Sequence, residues 1–232
     1  MGDRIHSATL AWAWGQGEPV TLHMSADKMH GGEFNNKTES WAEIATLFPP
    51  GSVVIQFHDL LPKTESGWLA YLRGQGIDAQ TYHYGDFVES ANSLDISKYM
   101  LDFPLIEAEP QQVTLPTNAG LERYVTEQWD SNGEGRRLAD ELRKKVMAGY
   151  SPALTVGGKA QDPFRWSLKN IAYAISRAEY HVGVDSAFMH LAMLYLPASR
   201  IRVYSQLKNY SHHLHRIIAR GATLNAGLCN NP

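Results

Sequence analysis

Val182-Gly183-Val184-Asp185-Ser186-Ala187-Phe188-Met189-His190-Leu191-Ala192 is the stretch on which the reading of this chain turns. An apolar, β-rich run ends in an acidic residue and a hydroxyl, then passes directly into an apolar helix. The first N–H groups of a helix have no intrahelical acceptor, and the peptide dipoles add partial positive charge at the same place. Such a junction is suited to a phosphate or diphosphate. His190 falls one turn into the helix, on the face that can look back toward a group bound there. A plainer reading is that Asp185 or Ser186 simply caps a buried helix. This segment alone leaves both open.

Working outward, strand-like and helix-like segments alternate along the second half. Arg123–Trp129 alternates like a strand, and Leu138, Leu142 and Val146 form a helical stripe. Ala153–Val156 is a strand closed by Gly157-Gly158, and Leu168, Ile171, Ala172 and Ile175 form a second stripe. Strand Tyr180–Val184, helix Ser186–Tyr195, strand Ile201–Tyr204 and helix Tyr210–Arg220 complete this half.

The first half alternates in the same way. Helices are expected over Asp3–Trp14, Trp41–Phe48 and Ser66–Arg73, with strands over Pro19–Met24, Ser52–Phe57 and Asp78–Tyr84. The extended stretch from Asp102 to Asn118, with Pro104, Pro110 and Pro116, reads as a boundary, giving domains at 1–115 and 116–232. Strands separated by helices imply parallel sheets, and two such halves place a ligand cleft between them, at the carboxyl ends of the strands.

Composition narrows the classes of function. The 232 residues are 44% hydrophobic and 19% charged, ordinary for a globular protein, and allow one large or two small domains. A net charge of −3 provides no global attraction to nucleic acid or anionic membrane. The single Cys229 excludes an internal disulfide framework and suits a reducing compartment. No apolar run approaches the roughly 20 residues that span a bilayer, and no signal peptide is evident, so the cytoplasm is the expected setting.

Two segments together resemble a known family. The string from Gly157 to Tyr204, with "SLKNIAYAISRAEYHVGVDSAFMHLAMLYLP", is similar to the second domain of the ADP-heptose:lipopolysaccharide heptosyltransferases. Met1-Gly2-Asp3-Arg4-Ile5-His6 with Ala8-Thr9-Leu10 resembles the start of that family's first domain. The resemblance covers the opening dozen residues and much of the second half. It implies a GT-B glycosyltransferase, two Rossmann-like domains facing a central cleft, with the nucleotide-sugar held by the second domain and the acceptor by the first. It also implies Asp3 as catalytic base and Asp185, Ser186, Ala187, Phe188 and His190 as ligands of the donor diphosphate.

The pattern departs from the family in two places. Ala187 stands where the family usually has glycine, which narrows backbone freedom but keeps the N–H. The strand that precedes Met-Gly-Asp in the family has no counterpart before Met1, and the expectation is that a short N-terminal piece is missing from the sequence.

Sugar transfer needs a base for the acceptor hydroxyl and stabilisation of the departing diphosphate. Arg136 and Arg137 occupy a Gly-rich loop where the resemblance implies a phosphate-binding cation, and arginine can contact phosphate bidentately. Gln128, Gly157, Gly158 and Lys159 are further donor-side candidates. No Asp-x-Asp motif occurs, and none of His6, His58-Asp59, His212, His213 and His215 has partners at a zinc spacing, so no metal and no separate cofactor are expected.

The reading is a metal-independent glycosyltransferase using a nucleotide-diphosphate sugar. Its acceptor would be a lipopolysaccharide core sugar or a hydroxymethylated base of phage DNA. The DNA acceptor requires a local basic surface, for which Arg4, Lys63, Arg73 and Lys98 are the cations available in the first half. Trp12, Trp14, Trp41, Trp68, Tyr82 and Tyr84 are read as packing residues that could also stack on a sugar or base. The alternative is a nucleotide-sugar-binding protein without transferase activity.

Overall fold

A computed structural model describes residues 2–25, 43–58, 64–80, 82–83, 94–95, 123–129, 138–156, 168–184, 186–204 and 223–224. Among them the chain is α/β, and every strand pairing is parallel.

In the first half, helix α1 (Gly2–Gly15) leads into strand β1 (Val20–Ser25), which pairs with β2 (Val53–His58). Between them, among the described residues, Glu43–Leu47 forms a 3-10 helix within the span Trp41–Phe48 where a helix is expected. Pro49 and Pro50 follow immediately and bar helical continuation. Helix α2 (Glu65–Gly74) opens at Thr64, whose hydroxyl accepts the Gly67 N–H at 3.1 Å.

Of the strand expected over Asp78–Tyr84, residues 78–80 are not strand, and among the described residues the pair Tyr82–His83 (β3) is, matched to Leu94–Asp95 (β4). The preceding residues instead close the helix, with the Ile77 N–H donated to Leu72 O at 2.9 Å.

The second half is built on one five-stranded sheet. Its strands are β5 (Val125–Gln128), β6 (Ala153–Thr155), β7 (Tyr180–Val184), β8 (Ile201–Tyr204) and β9 (Thr223–Leu224), in spatial order β6-β5-β7-β8-β9. Counted from β5, this is the 2-1-3-4-5 order of a doubly wound sheet.

Helices cover both faces of that sheet. Val182, Val184 and Tyr204 pack with Trp129 and Leu138 against Leu142 and Val146 of α3 (Asp140–Met147). Ile201 and Val203 pack on the other side with α4 (Leu168–Arg177) and α5 (Ala187–Tyr195). Coverage on both faces explains why Val125–Gln128 is buried at every position despite its mixed polarity. The α4 stripe read from periodicity is fully inside, with Leu168, Ile171, Ala172 and Ile175 at 1% exposure or less. The helix expected over Tyr210–Arg220 lies outside the described residues.

The two halves share one apolar core. Ile5, Ala8, Val20, Ile44 and Leu47 cluster with Leu168, Ile171, Phe188, Leu191 and Tyr195, so α1 rests against α5 and the 3-10 turn against α4. Two polar contacts cross the same seam. The Tyr195 hydroxyl donates to Leu47 O at 2.6 Å, and the Glu43 carboxylate accepts the first N–H of α4, from Leu168, at 2.8 Å. Glu43 thus caps a helix from the opposite half of the chain, a favourable place for an anion.

Candidate functional site

In an open parallel sheet, successive crossovers diverge at the point where strand order reverses, and ligands settle beyond the carboxyl ends of the strands there. Here the reversal falls between β5 and β7, because β6 adds on one side of β5 and β7 on the other. The last pair of that register is Gln128 opposite Gly183, three residues before the α5 N-cap at Ser186.

Gly183 is there for space. A Cβ on it would stand 2.3 Å from Gln128 O and 3.2 Å from the carbonyl carbon, so the main chains of β5 and β7 approach too closely for any side chain. The sequence thereby delivers Gln128 and Ser186 to the same end of the sheet. Gln128 is 2% exposed.

Ser186 sits at the N-cap in extended conformation (φ −150°, ψ 173°), but its hydroxyl makes no capping bond. Its Oγ is buried and has no hydrogen-bond partner among the described residues. Burial of an unpaired hydroxyl costs about 1–3 kcal/mol. The capping reading is therefore not met by Ser186, whose contribution to the helix is its carbonyl, accepting from Met189 N–H at 3.1 Å and His190 N–H at 3.4 Å.

The N–H groups of Ala187 and Phe188 precede these bonds and open the helix. The Phe188 side chain is packed in the core at 7% exposure, so at this position the main-chain N–H is the group a ligand can meet. His190 is half-buried on the second turn.

Asp3 lies in the first turn of α1, the helix that packs on α5, and its side chain is outside the described residues. Asp185, Arg136, Arg137, Gly157, Gly158 and Lys159 also fall outside them, as do Lys63, Lys98, the side chain of Arg4, and His212, His213 and His215. Arg73 is exposed in the last turn of α2. Of the aromatic residues, Trp12 packs on Phe48 with ring centroids 5.8 Å apart, while Trp14 is 43% exposed. Among the described residues no group of three or more His, Cys, Asp and Glu side chains could hold a metal ion. Among them, too, no helix is long and apolar enough to cross a membrane.

Three polar features were not singled out in the sequence. On the α3 side of β5, the buried Glu127 carboxylate accepts from Arg143 Nη2 at 2.9 Å, from Thr155 Oγ1 at 2.9 Å and from the Trp129 indole. A cavity of about 370 Å³ beside it is lined by Glu127, Asp140, Arg143, Lys144 and Met147. On the opposite face His181, wholly buried, meets Thr126 Oγ1 through Nδ1 at 3.0 Å, and burial pushes its pKa down to about 3. In the first half His23 and His58 stand ring to ring at the end of β1 and β2. The signal for Glu127 was a charged residue inside an otherwise buried strand. For the histidine pair, 35 residues apart, only the pairing of strands could reveal the contact.

No protein-family model matches the chain, and no curated protein matches it. Among solved structures, the chain is similar to E. coli heptosyltransferase WaaC with ADP-2-deoxy-2-fluoro heptose, at 13% identity and a TM-score of 0.32. The match covers 73% of this chain and 52% of that one, so this chain spans about half the length of the structure it matches. The α/β architecture with parallel sheets stands on the strand pairings themselves.

Proposed function

We propose that this protein is a glycosyltransferase that binds a nucleotide-diphosphate sugar at the amino end of α5 and passes the sugar to an acceptor hydroxyl without a metal ion. One observation carries the reading: the strand-order reversal between β5 and β7 opens onto a helix N-terminus whose buried N-cap hydroxyl does not cap. A diphosphate oxygen there would accept from Ser186 Oγ and from the N–H groups of Ala187 and Phe188, in line with the helix dipole. Asp185, His190 and Gln128 complete the donor side, with Arg136, Arg137 or Lys159 as counter-charge. The family resemblance of the two motifs adds Asp3 as the base for the acceptor hydroxyl. A lipopolysaccharide core sugar and a hydroxymethylated phage DNA base are the acceptors proposed.

Calorimetric titration with UDP, ADP and GDP and their sugars tests the donor site. One nucleotide diphosphate should bind, and at 100 times its Kd it should add about 2.7 kcal/mol of stability. Ser186→Ala should leave the fold intact and weaken that binding about tenfold, the equivalent of one net hydrogen bond. Absence of binding by all three nucleotides refutes the donor assignment. Asp3→Asn should retain binding and abolish transfer, whereas binding without transfer to any acceptor leaves a nucleotide-sugar-binding protein.

A further inference from the structure

The face of the β1–β2 pair turned away from the core carries chemistry that the diphosphate site does not use. Val20, Leu22 and Met24 are buried, so Thr21 and His23 alternate onto the opposite face. The parallel register sets Thr21 beside Val54 and His23 beside Gln56 on that outer face, with His58 two residues further along β2. Thr21, Val54 and Gln56 are exposed. Helix α2 covers only its carboxyl end, where Trp68 and Tyr71 set their rings edge-on to His58 at centroid separations of 5.9 and 5.5 Å. His58 is consequently 7% exposed, and His23, next to the open part of the face, is half-exposed.

His23 Nδ1 and His58 Nε2 are 3.0 Å apart, with ring centroids at 5.2 Å. That centroid separation is close to the N–N distance plus the two ring radii, so the nitrogens face each other along the line joining the rings. Two imidazoles chelating one ion would instead converge on a third point. The contact is an N–H···N hydrogen bond whose donor is set by the tautomers of the two rings, and it leaves His23 Nε2 on the ring edge opposite His58. Burial, followed by the neighbouring His58, lowers the His23 pKa, which favours its base form at neutral pH.

We infer that His23 and His58 form an acid–base site, in which His23 Nε2 takes the proton of a hydroxyl-bearing molecule bound on the open face beside Gln56 and Thr21. The substrate O–H breaks, its electron pair stays on oxygen, and a new Nε2–H forms on a His23 imidazolium. In the active tautomer the His23 Nδ1–H donates to His58 Nε2 throughout. The freed oxygen pair attacks the acyl carbon of a bound ester, the bond from that carbon to its leaving oxygen breaks, and the Nε2 proton passes to that leaving oxygen, which restores the pair. His58 is a positioning residue: it fixes the His23 tautomer, and Trp68 and Tyr71 fix His58. This inference is independent of the donor diphosphate reading.

Hydrolysis of p-nitrophenyl acetate tests it, with water as the hydroxyl that gives up its proton. Because the chain has ten histidines, the rate assigned to the pair is the difference between wild type and His23→Gln. That difference should be at least about tenfold, should slow in D2O, and should rise to a plateau with a midpoint below the ordinary 6.5. His58→Gln should lower the rate and move the midpoint toward 6.5. A His23→Gln protein as active as wild type, or a wild-type midpoint at 6.5 or higher, overturns the assignment. Ring 15N shifts of the unmodified protein check it without any substitution: a neutral His23 protonated on Nδ1 supports the site, and protonation on Nε2 overturns it.

Discussion

Replacing His181 should change how stability depends on pH more than it changes stability at neutral pH. The ring is wholly buried on β7, bonded through Nδ1 to Thr126, and its Nε2 has no partner among the described residues. Charging it would place an imidazolium in the interior, so burial holds its pKa at about 3, against 6.5 in the unfolded chain. The unfolded state therefore binds a proton that the folded state refuses. The resulting stability is fully present above about pH 6.5 and is lost progressively as pH falls toward 3.

At 1.36 kcal/mol per pKa unit, lowering the pH from 7.5 to 5.0 should remove about 2 kcal/mol through this one ring. Urea denaturation of wild type and His181→Gln at the two pH values isolates the effect, since other titrating groups, His23 among them, are common to both proteins. The variant should lose about 2 kcal/mol less than wild type between the two conditions. Equal losses, or an NMR titration of His181 near 6.5, would refute the argument that burial alone sets its charge.

Gly183→Ala should destabilise by about 3 kcal/mol or more, because the intruding carbon meets the Gln128 main chain rather than a side chain that can turn away; urea midpoints measure it, and nucleotide affinity should fall in parallel. Tyr195→Phe removes the buried hydroxyl bond to Leu47 and should cost about 1 kcal/mol, with faster hydrogen exchange in the 3-10 turn, since that bond joins the two halves. Arg143→Met leaves the Glu127 carboxylate buried with fewer donors and should cost about 2–3 kcal/mol; adding Glu127→Gln should restore part of the loss in a double-mutant cycle.

The periodic elements were legible because each reports a local fact. The i, i+3, i+4, i+7 spacing of Leu168, Ile171, Ala172 and Ile175 marks one side of a helix whatever it packs against, and all four are buried as that spacing requires. Two-residue strands outside any expected span were not legible. Leu94–Asp95 and Thr223–Leu224 are two residues each, too brief for any alternation, and they exist as strands only through their partners. Glu127 was hidden for a related reason: nothing local says that a carboxylate in a strand will find Arg143, Thr155 and Trp129 around it.

By itself the sequence determined the α/β alternation, the apolar stripes and the strand-to-helix junction ending at Ser186, all consequences of residue type and spacing over a turn or two. Only the tertiary structure decided that β6 and β7 flank β5 on opposite sides, and so that the junction lies where strand order reverses. It alone also showed that Ser186 withholds its hydroxyl from the helix, that His23 meets His58, and that the halves are joined through Tyr195 and Glu43. Each of these depends on which distant segments come to lie side by side, a choice made by burial of the whole apolar surface and written in no single window of residues.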